Sequence, residues 1–95
     1  MAGYKMQLFV AGETPRSHLA ASNLRELLER RDQHDYELEV IDVLERPDLA
    51  EQERILATPF VLKVSPLPVR RVVGDLSDFE LAARALDLNH REASS

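Results

Sequence analysis

The chain has 95 residues, of which 44% are hydrophobic and 31% charged, a composition typical of a small folded domain and not of a disordered segment. Its formal net charge of -5 argues against general affinity for nucleic acid, because a phosphate-binding surface normally carries a basic excess. The sequence has no cysteine, which excludes disulfides, thiol catalysis and thiolate metal sites and suits a cytoplasmic protein. No apolar run approaches the ~20 residues of a membrane helix, so we expect neither membrane insertion nor export.

The first half of the chain predicts a βαβ unit. Residues 6–11 (MQLFVA) form a short apolar run typical of a strand, and Thr14 followed by Pro15 has the pattern of a helix start with Thr14 as N-cap. A second strand is predicted over residues 36–43, and two strands joined by a helix of this length should be parallel neighbours. The predicted helix has apolar residues at helical spacing: Ala20, Leu24, Leu27 and Leu28.

The second half predicts a short helix followed by a hairpin. Pro47 restarts a helix that we expect to lead to Leu56, although its apolar pattern is brief. Residues 60–64 and 69–73 are two apolar, β-branched runs separated by SPLP, which suits an antiparallel hairpin with a stiff connection.

A last helix completes the predicted order. Ser77 and Glu80 have the spacing of a capping box at its start. The resulting order, β-α-β-α-β-β-α, is a thioredoxin-like α/β layout with a mixed central sheet. We expect one domain over residues 1–95, with residues 1–5 and 90–95 frayed.

The dipeptide Thr58-Pro59 lies just before the third predicted strand, where thioredoxin-like folds keep a cis-proline. In the redox enzymes with this layout the proline faces a cysteine pair, but the opposite segment here reads AGETPRS and offers no thiol. A trans-proline that merely starts a strand is an equally good interpretation, since cis occurs in only ~5% of X–Pro bonds. In either case the scaffold lacks the redox chemistry.

Four ordered segments together closely resemble the KaiB family of bacterial circadian-clock proteins: LFVAGETPRS, VIDVLERPDLAE, ILATPF and PVRRVVGDLSD. The resemblance implies a protein with no catalytic activity and no cofactor that binds KaiC, a hexameric ATPase, and modulates its activity or phosphorylation cycle. Further implied partners are KaiA or a histidine kinase that competes for KaiC. The resemblance also implies self-association to a dimer or tetramer.

The resemblance implies two folds for the same chain. KaiB proteins are known for a tetrameric ground state ordered β-α-β-β-α-α-β and for a thioredoxin-like monomer that KaiC accepts, and the second half of the chain is what changes. Pro59, Pro66 and Pro68 lie in that half, where the short apolar runs suit either strand or buried helix. A single stable fold with three loop prolines explains the same residues without a switch.

One departure from the family pattern bears on the balance between the two folds. Where KaiB sequences read GLDLL, this chain reads ALDLN from Ala85, and alanine in place of glycine inside a helix is favourable by ~1 kcal/mol. We expect this segment, with Ala85 and Asp87, to favour the thioredoxin-like form. Gly74 and Asp75, which we also associate with the switch, predict a tight turn in which Asp75 bonds the local backbone.

The predicted partner-binding residues lie on the second strand, the short helix and the basic hairpin strand. Arginine presents a planar fork of donors that suits an acidic partner surface. Solvated edge-strand charges that block aggregation are an equally good interpretation of Arg70 and Arg71. We predict partner contacts from Leu44, Pro47, Leu49, Glu51, Gln52, Arg54, Lys63, Arg70 and Arg71.

No catalytic or metal-binding arrangement stands out. His18, His34 and His90 have no ligand spacing, and AGETPRS has one glycine and no lysine, so it fails the phosphate-loop pattern. The sequence therefore indicates a binding protein. It is either a KaiB-like regulator that switches folds or a thioredoxin-like interaction or sensory module that is fixed in one fold.

Overall fold

A computed structural model describes residues 3–30 and 35–88 of the chain. The elements follow the order β-α-β-α-β-β-α that the sequence predicts. The predicted fraying of residues 90–95 lies outside the described residues. The elements are β1 (Tyr4–Val10), α1 (Pro15–Arg30), β2 (Tyr36–Asp42), α2 (Pro47–Gln52), β3 (Phe60–Ser65), β4 (Arg70–Val73) and α3 (Phe79–Ala85).

The four strands form one mixed sheet in the order β2-β1-β3-β4. β1 and β2 are parallel, whereas β3 runs antiparallel to both β1 and β4. A parallel pair needs a long crossover, which α1 provides, while an antiparallel pair can be joined by the short connection between β3 and β4. β2 and β4 are the two edges of this sheet.

The larger core lies between the sheet and the helices α1 and α3. Successive side chains of a strand point to opposite faces, so alternate residues of β1 face these helices. They meet the apolar stripe of α1, whose four predicted residues are all buried. This core contains Tyr4, Met6, Leu8, Val10, Ala20, Leu24, Leu27, Leu28, Val61, Leu76, Ala82, Ala83, Leu86 and Leu88.

A smaller core lies on the opposite face of the sheet, beneath α2. Phe9 and Phe60 stack there at a tilt, with 6.1 Å between their ring centroids. Leu49 of α2 and Ile55 just after it pack against the cluster while remaining partly exposed. None of the six residues of α2, all of them described, is fully buried. Because burial of apolar area is the main source of stabilisation, α2 is held less firmly than α1.

The start of α1 is fixed by reciprocal hydrogen bonds, as predicted. The backbone N–H of Ser17 donates to Oγ1 of Thr14 at 3.1 Å, and the Thr14 N–H donates to Oγ of Ser17 at 2.9 Å. Two of the donors that a helix N-terminus leaves unpaired are thereby satisfied. Thr14 is confirmed as the N-cap.

The start of α3 differs from the prediction, and the capping box at Ser77 and Glu80 is wrong. The Ser77 N–H, which Glu80 was expected to bond, donates instead to Oδ1 of Asp75 at 3.1 Å. The N-cap is Asp78, whose Oδ1 accepts the N–H of Leu81 at 3.1 Å. The helix therefore begins one residue later than a Ser77 cap would place it.

Two further boundaries are corrected by hydrogen bonding. β1 begins at Tyr4, whose N–H donates to the carbonyl of Asp35 at 3.0 Å, so the start of the strand is paired and not frayed. α2 ends at Gln52, short of the predicted Leu56, because Arg54 adopts a left-handed φ of 58°. The next amide then returns to the carbonyl of Ala50 at 2.8 Å, a bond that closes the helix as a Schellman motif.

The peptide bonds before Pro59, Pro66 and Pro68 are cis in this fold. Of the two interpretations that were open for Thr58-Pro59, the cis form is the one present. The carbonyl of Pro59 accepts the N–H of Gly74 at 2.8 Å, which links the start of β3 to the residue that follows β4.

Candidate functional site: a partner-binding surface on α2

Most of the predicted contact residues of α2 lie on one exposed surface. Pro47, Glu51 and Gln52 are exposed, and Arg54 is exposed just beyond the helix end. Leu49 differs from them because it turns partly toward the smaller core. The helix therefore presents polar and charged groups outward while Leu49 fixes which side faces the sheet.

The turn between β2 and α2 is ordered by the carboxylate of Asp42. Its Oδ1 accepts the N–H of Gly12 at 3.0 Å and the N–H of Leu44 at 2.9 Å. The predicted contact residue Leu44 is 70% exposed on this turn. A large apolar side chain held on an ordered turn is available for burial against a partner.

The sequence analysis missed two residues of this surface. Asp42 was interpreted only as part of a strand, although an aspartate whose side chain bonds the backbone two residues on is a known turn signal. Leu56 was expected inside the short helix. It lies outside it instead and is 96% exposed.

The two arginines of β4 face opposite sides of the sheet. Arg71 is the register partner of Leu62, whose side chain lies in the smaller core, while Arg70 is the partner of Lys63 on the other side. Arg71 therefore belongs to the α2 side, and Arg70 to the α1 and α3 side. In this fold the two guanidinium groups therefore leave the edge strand β4 on opposite faces of the sheet.

The guanidinium of Arg71 is engaged within the molecule. Its Nη1 donates to the backbone carbonyl of Glu53 at 2.8 Å, and its Nη2 lies 3.5 Å from Oε1 of the same residue. The group also sits 5.7 Å from the ring centroid of Phe60. Arg71 thus connects the edge strand to the end of α2.

The prediction that Lys63 contacts a partner is wrong for this fold, because its side chain is only 1% exposed. Lys63 points into the larger core, where Nζ lies 3.5 Å from the carbonyl of Asp87 and 5.8 Å from the ring centroid of Tyr4. Burial lowers the pKa of Lys63, and the nearby carboxylate of Asp87 offsets that only in part. Lys63 is the only basic residue of β3, and the sequence alone did not show that its face of the sheet is covered.

The turn after β4 confirms the predicted role of Asp75. Gly74 has a φ of 119°, which favours glycine, and Asp75 bonds the local backbone at Ser77. Hydrogen bonds from Ser77 lower the pKa of the Asp75 carboxyl, and Arg16 at 3.9 Å lowers it further. Asn23 of α1 donates to the Asp75 carbonyl at 2.8 Å, so this turn is tied to α1.

Residues 3–30 and 35–88 offer no metal site and no helix suited to a bilayer. No group of three or more histidine and carboxylate side chains there is arranged to hold a metal ion. Within the same residues, no helix has both the length and the apolar character needed to cross a bilayer.

A family model described as the KaiB domain matches residues 7–88. The chain belongs to the KaiB family. One curated relative, the circadian clock oscillator protein KaiB of Prochlorococcus marinus (strain NATL2A), is 52% identical over 91 residues, which are 96% of this chain and 85% of that protein. The KaiB resemblance inferred from the four sequence segments is confirmed.

Solved structures confirm the thioredoxin-like fold class. The N-terminal domain of Synechococcus elongatus SasA matches with a TM-score of 0.76 and 23% identity, covering 99% of this chain and 91% of that one. Mitochondrial thioredoxin 3 of Saccharomyces cerevisiae matches with a TM-score of 0.67 and 16% identity, over 92% and 79% of the two chains. The structure of this KaiB-family chain therefore has the thioredoxin-like order and not the alternative order β-α-β-β-α-α-β.

Proposed function

We propose that this chain is a non-enzymatic cytoplasmic regulator that binds a hexameric KaiC-type ATPase and modulates its activity or phosphorylation cycle. The observation that carries the proposal is the 52% identity to a KaiB circadian clock oscillator protein across 96% of the chain. The binding form is the thioredoxin-like monomer. It is reached by fold switching from a self-associated dimer or tetramer, and KaiA or a competing histidine kinase are further partners.

The contact surface of this proposal is α2 with its two flanking segments. It presents the apolar side chains of Leu44 and Leu56 beside polar groups, an arrangement that matches an interface with an apolar centre and a polar rim. Burying either leucine against a partner contributes roughly 1.5–3 kcal/mol. The polar contact residues are Glu51, Gln52 and Arg54, with Pro47 exposed at the start of the helix and Leu49 orienting it.

A substitution on this surface tests the proposal against a matched control. Leu44→Ser should weaken the complex with a KaiC-type hexamer about tenfold, since it removes roughly 1.4 kcal/mol of apolar burial. Leu67→Ser is the control, because Leu67 is 79% exposed on the connection between β3 and β4 and outside the surface. Size-exclusion chromatography detects the complex, and titration of each variant into the hexamer gives its affinity, in ATP and in ADP.

Two results would count against this function. The first is that the wild-type chain forms no complex after many hours with the hexamer, in either ATP or ADP. That result would reject binding to a KaiC-type ATPase. The second is an equal loss of affinity for the hexamer in Leu44→Ser and Leu67→Ser, which would mean that α2 is not the contact surface.

A second candidate is a thioredoxin-like interaction or sensory module that never changes fold, in a signalling system outside the clock. The observation that favours it is the likeness in fold to the N-terminal domain of SasA. Such a module should bind its partner rapidly in a single phase with no concentration-dependent lag. A fold-switching regulator should instead show a slow phase, because the binding-competent state must first be populated.

A further inference from the structure

The two ends of α2 are attached to the rest of the molecule in different ways. At its N-terminus, Arg46 occupies the cap position and, within the described part of the chain, no side chain caps this end. This end is held to β2 by local backbone bonds, since the N–H groups of Glu45 and Arg46 each donate to the carbonyl of Asp42 at 3.0 Å. The ion pair between Arg46 and Asp48, with 3.2 Å between Nη2 and Oδ2, lies on the surface and adds no contact with the sheet. Exposed pairs of this kind stabilise little.

The C-terminal end of α2 is attached to the sheet by Arg71. The carbonyl that accepts its 2.8 Å hydrogen bond belongs to Glu53, the C-cap residue. The last carbonyls of a helix lack intrahelical partners and form the negative end of its dipole, so a cationic donor is well matched to them. A hydrogen bond from a charged donor is also stronger than one between neutral groups.

The sheet holds Arg71 in place for this contact. Its backbone lies in register with Leu62 of β3, and its guanidinium lies near the ring of Phe60, which is buried in the smaller core. One end of the side chain is thus fixed by strand pairing, and the other end by the helix carbonyl. The residue bridges a separation of 18 positions in the sequence.

We propose that Arg71 is a positioning residue of the α2 surface: it fixes the orientation of α2 through the Glu53 carbonyl and influences partner binding through the helix, without contacting the partner itself. This inference rests on the proposed function in one respect, that α2 is the contact surface. Pre-organised contact residues bind more tightly because less ordering is needed on association.

Hydrogen exchange in the free protein tests the positioning role without any partner. The amides to follow are those of Glu53, which donates to Leu49 at 2.9 Å, and of Ile55, which donates to Ala50 at 2.8 Å. In Arg71→Met they should exchange about tenfold faster than in the wild type, while the amides of α1 are unchanged.

Three further variants sharpen this test. Arg70→Met is the matched control, since it removes the same charge from the other face of the sheet and should leave exchange in α2 unchanged. Glu53→Gln should have little effect, because it keeps the short bond to the carbonyl and loses only the 3.5 Å contact. Arg71→Lys keeps the charge but not the fork of donors, so its α2 amides should exchange at a rate between those of the wild type and Arg71→Met. If Arg71→Met does not fold, Arg71→Lys takes its place in the comparison.

Binding to a KaiC-type hexamer then separates positioning from contact. Under the proposal, Arg71→Met weakens binding by about the factor measured in exchange, and the salt dependence of the affinity stays as in the wild type. Unchanged exchange in α2 of Arg71→Met would overturn the proposal. If binding were also weaker, Arg71 would contact the partner directly. If exchange accelerates but the wild-type chain captures no hexamer, the positioning role stands and the proposed function fails.

Discussion

Lys63 places an ammonium group inside the larger core, with Nζ at a long 3.5 Å from the carbonyl of Asp87 and near the ring of Tyr4. Removing a charged amine from water costs free energy unless strong partners replace the lost hydration. Its lowered pKa expresses the same cost, because the folded protein holds this proton less tightly than the unfolded chain does. At neutral pH the charge of Lys63 therefore opposes this fold.

The stability of the thioredoxin-like fold should depend on pH through Lys63. Since the folded-state pKa lies below the usual 10.5, the cost of burial is fully present below that pKa and disappears as the pH rises through it. The free energy of unfolding should therefore increase with pH as the pH approaches 10.5 from below. Lys63→Met should be more stable than the wild type by about 1 kcal/mol at pH 7 and should lack that increase.

Urea denaturation at several pH values measures this effect, with Lys5→Met as control because Lys5 is exposed on β1. The range stops below pH 10, since burial raises the pKa of Tyr4 and the ionisation of unfolded tyrosine would then act in the opposite direction. A less stable Lys63→Met variant at pH 7 would mean that the charge supports the fold.

The helices differ in how their ends are fixed, and α3 illustrates the consequences for one element. Asp78 caps its start, and at its end Asp87 adopts a left-handed φ of 58° that allows the N–H of Leu88 to reach the carbonyl of Ala83 at 2.9 Å. This is the same Schellman closure that ends α2 after Arg54. Short helices depend on such terminal bonds because they cannot form stably alone.

Removal of the Asp78 cap should destabilise the protein measurably. We expect Asp78→Ala to lower the free energy of unfolding by about 1 kcal/mol, the usual cost of losing an N-cap side chain. Glu80→Ala is a matched control, since it removes an acidic group from the same first turn but no capping bond. Thermal or urea denaturation gives both values. A larger loss of unfolding free energy in Glu80→Ala than in Asp78→Ala would mean that the capping box at Ser77 does form.

At the scale of the whole molecule, the proposed switch depends on the difference in free energy between two folds. Ala85 is the last residue of α3, whose neighbours Ala83 and Leu86 are buried in the larger core. Two packings that differ by only a few kcal/mol can be rebalanced by one substitution.

Ala85→Gly tests this balance. Glycine in a helix costs about 1 kcal/mol relative to alanine, so under the proposed switch the substitution should shift the population about fivefold toward the proposed tetramer and slow partner binding. Light scattering measures the assembly, and stopped-flow or pull-down kinetics measure the binding. Ala21→Gly in α1 is the control, because α1 lies in the half of the chain that the proposed switch leaves unchanged. Unchanged assembly and kinetics in Ala85→Gly would remove Ala85 from the switch.

The sequence by itself determined what local patterns encode: the order of the elements, the buried stripe of α1, the Thr14 cap and membership of the KaiB family. Caps and periodicity depend on residues a few positions apart, so they can be recognised without knowing the rest of the fold. The same is true of the start of α2, which followed from placing Pro47 at the first position of a helix.

Only the tertiary structure decided which side of the sheet each basic residue occupies. Lys63, Arg70 and Arg71 form one basic group in the sequence, yet strand register buries the first and directs the other two to opposite faces. The bond from Arg71 to Glu53 likewise joins residues 18 positions apart. Such features depend on which neighbours pack over a strand, and a side chain's own sequence neighbourhood carries no record of them.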